Sequence, residues 1–256
     1  MTGDGVDDIA VAAGPGAGPH VKVFDGVSGA EIRSFFAYDS GFAGGVFIGL
    51  GDLTGDGRAD IVTGAGPGAG PHVKVFDGVG GAEIHSFFAF DETFQGGVSV
   101  RAGDIDGDGF ADIIVGAGPG GGPHVKVFSG QNQNELDSVL VGDPAFTGGV
   151  LVGAGNFAFD FRSEVVVSTN GRLSVIGYEK AGAKLTRYVE QDNIVPFGEG
   201  IDAAPASIRL GNGNTAILVG AVGQSATRVM IIDRTSNSVR SFSAFEGLVF
   251  AGVNVG

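Results

Sequence analysis

Four carboxylates crowd into one ten-residue stretch, Gly103-Asp104-Ile105-Asp106-Gly107-Asp108-Gly109-Phe110-Ala111-Asp112, which runs straight into the apolar Ile113-Ile114-Val115. Counted from Asp104, the acids stand at positions 1, 3, 5 and 9 of a loop punctuated by glycine. Anions this close repel one another unless a cation sits among them, so the stretch cannot be a core element and asks for a hard ion. Calcium suits it, because that ion takes six to eight oxygens at about 2.3–2.6 Å and the glycine after position 5 supplies the sharp turn. Here that glycine is Gly109, and the expected ligands are the side chains of Asp104, Asp106, Asp108 and Asp112 with the backbone carbonyl of Phe110. The closing acid comes too early for a helix-loop-helix calcium site and β-type sequence follows, so the loop joins two strands. The metal-free alternative is an acidic β-turn held by Asx-type hydrogen bonds.

The stretch recurs at intervals of 52 residues, upstream as Gly51 to Asp60 and as Thr2 to Asp8, and downstream as the decayed Gly155 to Glu164. Four copies in register make this a repeat protein. A Phe-x-Gly element precedes each unit's first strand at Phe42, Phe94, Phe146 and Phe250, with Phe197 as its fourth, looser copy, so five units are expected. Between loops, runs such as Val46-Phe47-Ile48, Ile61-Val62-Thr63, His72 to Phe76 and Glu83 to Phe88 are short, rich in Val, Ile and Phe, and bounded by Gly, Pro, Asp or Asn. Runs of that kind predict strands, and four strands per unit predict a propeller blade. In the fifth unit the loop has shrunk to Gly211-Asn212-Gly213-Asn214-Thr215, too short and too neutral for a cation.

The expected fold is therefore all-β, a five-bladed β-propeller of four-stranded antiparallel blades in one domain spanning residues 1–256. Its units run over about 1–41 plus 250–256, 42–93, 94–145, 146–196 and 197–249. The C-terminal Gly252-Val253-Asn254-Val255-Gly256 aligns with a first strand, and the N-terminus begins inside a loop, as an excised or engineered start would. One blade is thus expected to be closed by the C-terminal strand, which removes two sheet edges and favours a monomer.

The 256 residues carry a net charge of −14, against the basic surfaces that nucleic acid attracts. Hydrophobic content of 43% argues against a disordered tract, and 49 glycines point to many tight turns. There is no cysteine, hence no disulfide or thiolate chemistry, and no apolar run long enough for membrane insertion. Met1-Thr2-Gly3-Asp4 has no signal-peptide pattern.

Together the Phe-x-Gly element, the Asp-x-Asp-x-Asp-Gly-x-x-Asp loop and the following Gly-Ala-Gly-Pro, at Gly64 to Pro67 and Gly116 to Pro119, resemble FG-GAP/VCBS repeats. Such repeats build the propeller of integrin α subunits and occur in many bacterial surface proteins. The resemblance covers the first three units well, the fourth in part and the fifth by strand pattern alone. It implies an extracellular or cell-surface, calcium-binding, non-catalytic adhesion or protein-interaction module of a larger bacterial protein, with five units where seven are usual in integrins. Carried over by motif position, it gives a second site at Asp52, Thr54, Asp56, the Arg58 carbonyl and Asp60. Weaker candidates are Thr2, Asp4, the Val6 carbonyl and Asp8, which lack position 1, and Asn156, Asp160 and Glu164, with Ala158 at position 3.

Other repeated residues are assigned mostly to structure. His20, His72 and His124 head each third strand in Pro-His-Val-Lys-Val-Phe, where each is expected to bond backbone in the Gly-Pro turn, with a ligand face as the alternative. Lys22, Lys74 and Lys126 are expected to lay their stems between blades, and of each Phe-Phe pair (Phe35-Phe36, Phe87-Phe88) one ring should pack inward. The Gly-Pro turns lack the helix and Lys-Ser/Thr of a phosphate cradle. No catalytic constellation stands out, so the protein is expected not to be an enzyme. The expected partner is a protein or a glycan, and a lectin is the alternative function, disfavoured by the absence of tryptophan.

Overall fold

The structure, a computed structural model, describes residues 1–156, 162–170, 172–181 and 184–192, and beyond them 200–201, 206–209, 215–222, 227–233 and 238–243. Among these residues there are twenty strands and no helix, hence no helix long and apolar enough to cross a membrane. β1 (Ile9–Ala12), β2 (His20–Phe24) and β3 (Glu31–Phe36) make a three-stranded sheet. The next two sheets are β4 (Val46–Gly51), β5 (Asp60–Ala65), β6 (His72–Phe76) and β7 (Glu83–Phe88), then β8 (Val98–Gly103), β9 (Asp112–Ala117), β10 (His124–Phe128) and β11 (Glu135–Leu140). A fourth holds β12 (Leu151–Gly155), β13 (Glu164–Thr169), β14 (Arg172–Ala181) and β15 (Lys184–Asp192). In the last, β16 (Gly200–Ile201) and β17 (Ala206–Arg209) both pair with β18 (Thr215–Val222), followed by β19 (Thr227–Asp233) and β20 (Ser238–Ser243).

All pairings are antiparallel between neighbours in sequence, apart from β16 with β18, as tight turns demand. The second strands β5, β9 and β13 are buried at every residue, because each sheet is covered on both faces by its neighbours. Their near-continuous runs of Ile and Val follow from that double burial. The cores lie between adjacent sheets: Val21 and Val23 pack with Ile61 and Phe76, Val73 and Val75 with Ile113 and Phe128, Val125 and Val127 with Val165 and Ile176. The inward rings of the Phe-Phe pairs close these seams, Phe35 on Phe76 at 4.7 Å and Phe87 on Phe128 at 5.0 Å, while Phe36 and Phe88 face solvent.

The segment expected to complete the first sheet, 250–256, lies outside the described residues. On β1 the edge shows: Ile9 is 59% exposed, whereas its repeat-mates Ile61 and Ile113 are fully buried.

Glycine permits close backbone approach at one end. Within a sheet, a Cβ on Gly44 would lie 2.1 Å from the Pro67 carbonyl oxygen, and one on Gly96 2.2 Å from that of Pro119. The glycines that follow, Gly45, Gly97 and Gly149, have φ of 79°, 69° and 85° and abut the Gly-Pro turn of the preceding sheet. That turn in return donates N–H groups forward, Gly16 to Ala43 O at 2.8 Å, Gly68 to Gln95 O at 2.9 Å and Gly120 to Thr147 O at 2.8 Å. The Phe-x-Gly and Gly-Pro motifs are thus two halves of one backbone joint between sheets.

At the opposite end the outer strands reach forward too. Arg33 donates to the carbonyls of Asp77 and Val79 at 2.9 and 2.8 Å, His85 meets the Gln133 amide at 2.9 Å, and Asp137 accepts from Tyr178 at 3.0 Å and from Arg187. These three positions are equivalent, spaced one repeat apart, and each touches the following sheet. Arg101 is the odd residue of the inner strands: where Gly49 and Gly153 stand in neighbouring repeats, its buried guanidinium donates to Ile48 O at 2.5 Å and Val100 O at 3.1 Å.

Units one and two are close copies, and their structure explains one of the few differences. The Tyr38 hydroxyl bonds Thr63 O (3.0 Å), Thr63 Oγ1 (3.2 Å) and His72 O (2.9 Å). One repeat later the pair is Phe90 and Val115, so both polar partners are replaced together. Tyr38→Phe alone is expected to cost about 1–2 kcal/mol in urea denaturation, because buried acceptors lose their donor. With Thr63→Val added, the double variant should cost less than the two single losses combined, a positive coupling in the cycle.

Candidate metal centre

Each acidic loop is pinned from behind by its position-9 residue, which is the first residue of the buried second strand. Asp60 pairs with Gly51, Asp112 with Gly103 and Glu164 with Gly155 in the strand ladder. Asp112 Oδ2 accepts the N–H groups of Ile105 (2.9 Å) and Asp106 (3.2 Å), and Oδ1 accepts that of Gly130 (3.3 Å) in the turn between β10 and β11. Asp60 does the same with Leu53, Thr54 and Gly78, and Asp8 with Thr2 and Gly26. One carboxylate therefore ties together two separate loops of its sheet.

Position 1 organises the front of the loop. Asp104 accepts from Gly107 (2.7 Å), Asp108 (3.1 Å) and Gly109 (3.0 Å), and Asp52 accepts from Gly55, Asp56 and Gly57. Position 5 accepts from position 7: Asp108 from the Phe110 N–H, Asp56 from that of Arg58, Asp4 from that of Val6. These are the Asx-type bonds of the metal-free alternative, and they also aim the free lone pairs of positions 1 and 5 to the same side.

In the third loop the aim converges. One carboxylate oxygen from each of Asp104, Asp106 and Asp108 lies within 4.8 Å of the other two. Asp112 stands behind this trio, engaged by backbone. Asp106 Oδ1 is buried with no hydrogen-bond partner, a state that costs free energy unless a cation or donor approaches it. Three clustered acids, one with an orphaned buried oxygen, fit a hard divalent ion. In the second loop Thr54 replaces the third acid, and no such trio forms there among the described residues. The first loop brings Thr2 onto Asp8 and leaves Asp4 apart. In the fourth, Asn156 and buried Glu164 flank the loop, and Asp160 lies outside the described residues.

The loops also touch each other. The position-7 side chain covers the position-4 glycine of the preceding loop: Arg58 lies on Gly3, Phe110 on Gly55 and Arg162 on Gly107. The position-8 N–H of one loop donates to the position-1 carbonyl of the loop before it, Ala111 to Asp52 at 2.8 Å and Ser163 to Asp104 at 2.7 Å.

Two contacts to the third loop have no signal in the repeat. Gln131 Nε2 donates to Asp108 Oδ2 at 3.0 Å, and Lys180 Nζ bonds Asp106 Oδ2 at 2.8 Å. Lys180 comes from the fourth sheet, whose sequence has drifted furthest among the loop-bearing units, so periodicity could not point to it.

The histidines take partners that differ from expectation. His20, His72 and His124 each place Nε2 2.8 Å from a serine hydroxyl on the outer strand, Ser34, Ser86 and Ser138, and not on turn backbone. His20 stacks on Phe36 and His72 on Phe88 at 4.8 Å. Burial holds His72 and His124 below the ordinary histidine value. The neighbouring lysines pair with glutamate, as Lys74 with Glu83 and Lys126 with Glu135 at 2.8 Å.

Comparison with known proteins agrees with this architecture. Residues 52–115, from the second loop through the third loop and its strand, match the FG-GAP-like repeat family. The β-propeller domain of Myceliophteria thermophila Cps50 (Swd1) is similar with a TM-score of 0.55 at 10% identity, covering 93% of this chain and 83% of that one. A Bacteroides caccae protein of unknown function gives 0.52 at 13%, covering 93% and 74%. A Bacillus licheniformis rhamnogalacturonan lyase gives 0.49 at 17%, and this chain spans 59% of its length. Residues 52–115 carry FG-GAP-like repeat sequence, and the chain's antiparallel sheets have a propeller-like fold.

Burial pushes the Asp112 carboxyl up to about 7 from an ordinary 3.8, against the pull of the N–H groups that it accepts. Asp60 and Asp104 are raised for the same reason, whereas the more open Asp8 is lowered by the Thr2 and Gly26 N–H groups. Between 3.8 and about 7 folded protein keeps a proton on Asp112 that the unfolded chain has released. Stability from this group is therefore complete at low pH and is lost as the pH rises through neutrality. Chelator-treated protein should melt lower at about pH 7.5 than at about pH 5.5, and Asp112→Asn should flatten that slope in thermal scans.

Proposed function

We propose that the chain is a calcium-binding, non-catalytic propeller that serves as an adhesion or protein-interaction module of a larger extracellular bacterial protein. In this reading residues 250–256 supply the inner strand of the first of five blades, and the exposed Ile9 on β1 supports such a cover. The observation that carries the calcium reading is the Asp104, Asp106 and Asp108 trio with its orphaned buried oxygen. Those three side chains, with Asp112 and the Phe110 carbonyl, would hold the ion, and Asp52, Thr54, Asp56, Asp60 and the Arg58 carbonyl would hold a weaker second. A bound ion supplies the positive charge that the crowded carboxylates lack. Because each loop rests on the one before it, filling the third stiffens the second.

Extracellular calcium modules fill in the range of about 10⁻⁴–10⁻³ M, which suits open loops such as these. A glycan partner is the second reading, favoured by the exposed rings of Phe36 (53%) and Phe88 (48%) beside histidine and serine groups. Saturable binding on a glycan array, lost in Phe88→Ala, would favour it over a protein ligand.

Calcium at ten times its dissociation constant should raise the melting midpoint by about 3–5 °C over chelator-treated protein. Asp104→Ala should remove most of that rise. An unchanged midpoint in wild-type protein at several millimolar calcium overturns the calcium reading.

A further inference from the structure

The third loop differs from its relatives by one acid and one base. Asp106 stands where the other loops carry Thr2, Thr54 and Ala158, so this loop alone has a carboxylate at position 3. Its Oδ2 meets Lys180 Nζ at 2.8 Å, with the Asp106 side chain only 12% exposed.

Lys180 is delivered by a departure from the repeat. β14 is 10 residues long where β2, β6 and β10 are 5, and β15 is 9 residues where β3, β7 and β11 are 6. Lys180 sits one pair from the tip of this lengthened hairpin, opposite Leu185. Tyr178, two residues earlier and so on the same strand face, donates to Asp137 Oδ2 at 3.0 Å. Arg187 across the hairpin bonds the same carboxylate at 2.8 and 2.9 Å. The hairpin is thus clamped on the third sheet, and its Lys180 side chain lies on the acidic trio.

An ammonium there neutralises one charge and satisfies one oxygen, while Asp106 Oδ1 stays without a partner. We infer that Lys180 is a tethered competitor of the third loop's ion: it holds the loop when metal is scarce and weakens metal binding by its charge. This rests on the calcium reading above. On entry of the ion, Lys180 is repelled and the hairpin tip is released, which links cation binding to the position of β14 and β15.

The test is calorimetric titration of the full chain with calcium chloride, in an Asp52→Ala/Asp56→Ala background that silences the second loop. Lys180→Met should tighten binding roughly tenfold, the effect of one positive charge about 6 Å from a divalent ion in water-like surroundings. Lys180→Arg, which keeps the charge, should stay close to wild type. In parallel, amide exchange near residues 178–186 should quicken on calcium addition in the wild type and be insensitive to calcium in Lys180→Met. Binding by Lys180→Met with none in the wild type supports the competitor most strongly. Equal affinities in wild type and Lys180→Met overturn it and leave the calcium reading standing. Absence of binding in both overturns the two together.

Discussion

A buried carboxylate at the start of the second strands β5, β9 and β13 is the constraint on which their loops depend. Asp60 and Asp112 are 0% and 1% exposed, yet each accepts backbone N–H groups from its own loop and from the turn of a neighbouring hairpin. An apolar side chain of the same size would leave those donors orphaned, and a carboxylate in that position would be costlier still without them. The donors partly offset the burial of the group without cancelling it, and the carboxyl in turn orders the donors. The shape of the acidic front, with positions 1, 3 and 5 turned to one side, follows from this fixed rear anchor.

Successive sheets are then joined at both ends by the same directional logic. At one end the glycine after each Phe-x-Gly element lets its backbone approach the Gly-Pro turn of the preceding sheet within a distance no side chain would allow. At the other, each of the later loops covers the glycine of the loop before it, and the third and fourth also bond its carbonyl. Between the ends, Val and Ile from facing sheets close the seams. Backbone hydrogen bonds fix the angle between sheets, and apolar burial supplies most of the favourable free energy.

Much of this was legible in the residues because it repeats. Strand positions, the loop, and the Phe-x-Gly and Gly-Pro motifs all recur at one interval, and periodicity averages away local ambiguity. The inward and outward rings of Phe35-Phe36 followed from strand alternation alone. The role of Asp112 was only half visible: its spacing suggests a ligand, but its burial and its backbone partners arise from the strand ladder and the neighbouring turn, which spacing does not encode. Lys180, Gln131 and the Asp137 clamp were invisible for a related reason, since each joins residues from unlike parts of the repeat. The histidines illustrate a third kind of miss, where the local turn offered backbone acceptors but the partner strand presented a serine closer to the ring.

The equivalent positions Arg33, His85 and Asp137 have one further consequence. Each reaches the sheet that follows it, with a cation, an imidazole and an anion solving the same geometric problem in turn. A seam of this kind has a plug on one side and a socket on the other, so a duplicated unit meets a ready socket in its own twin. Lengthening the array by copying then needs no invention of new contacts, and after copying each plug drifts with its own socket alone. Chemical identity at these seams therefore becomes a private code between neighbours, which discourages blades from docking out of order while the chain folds.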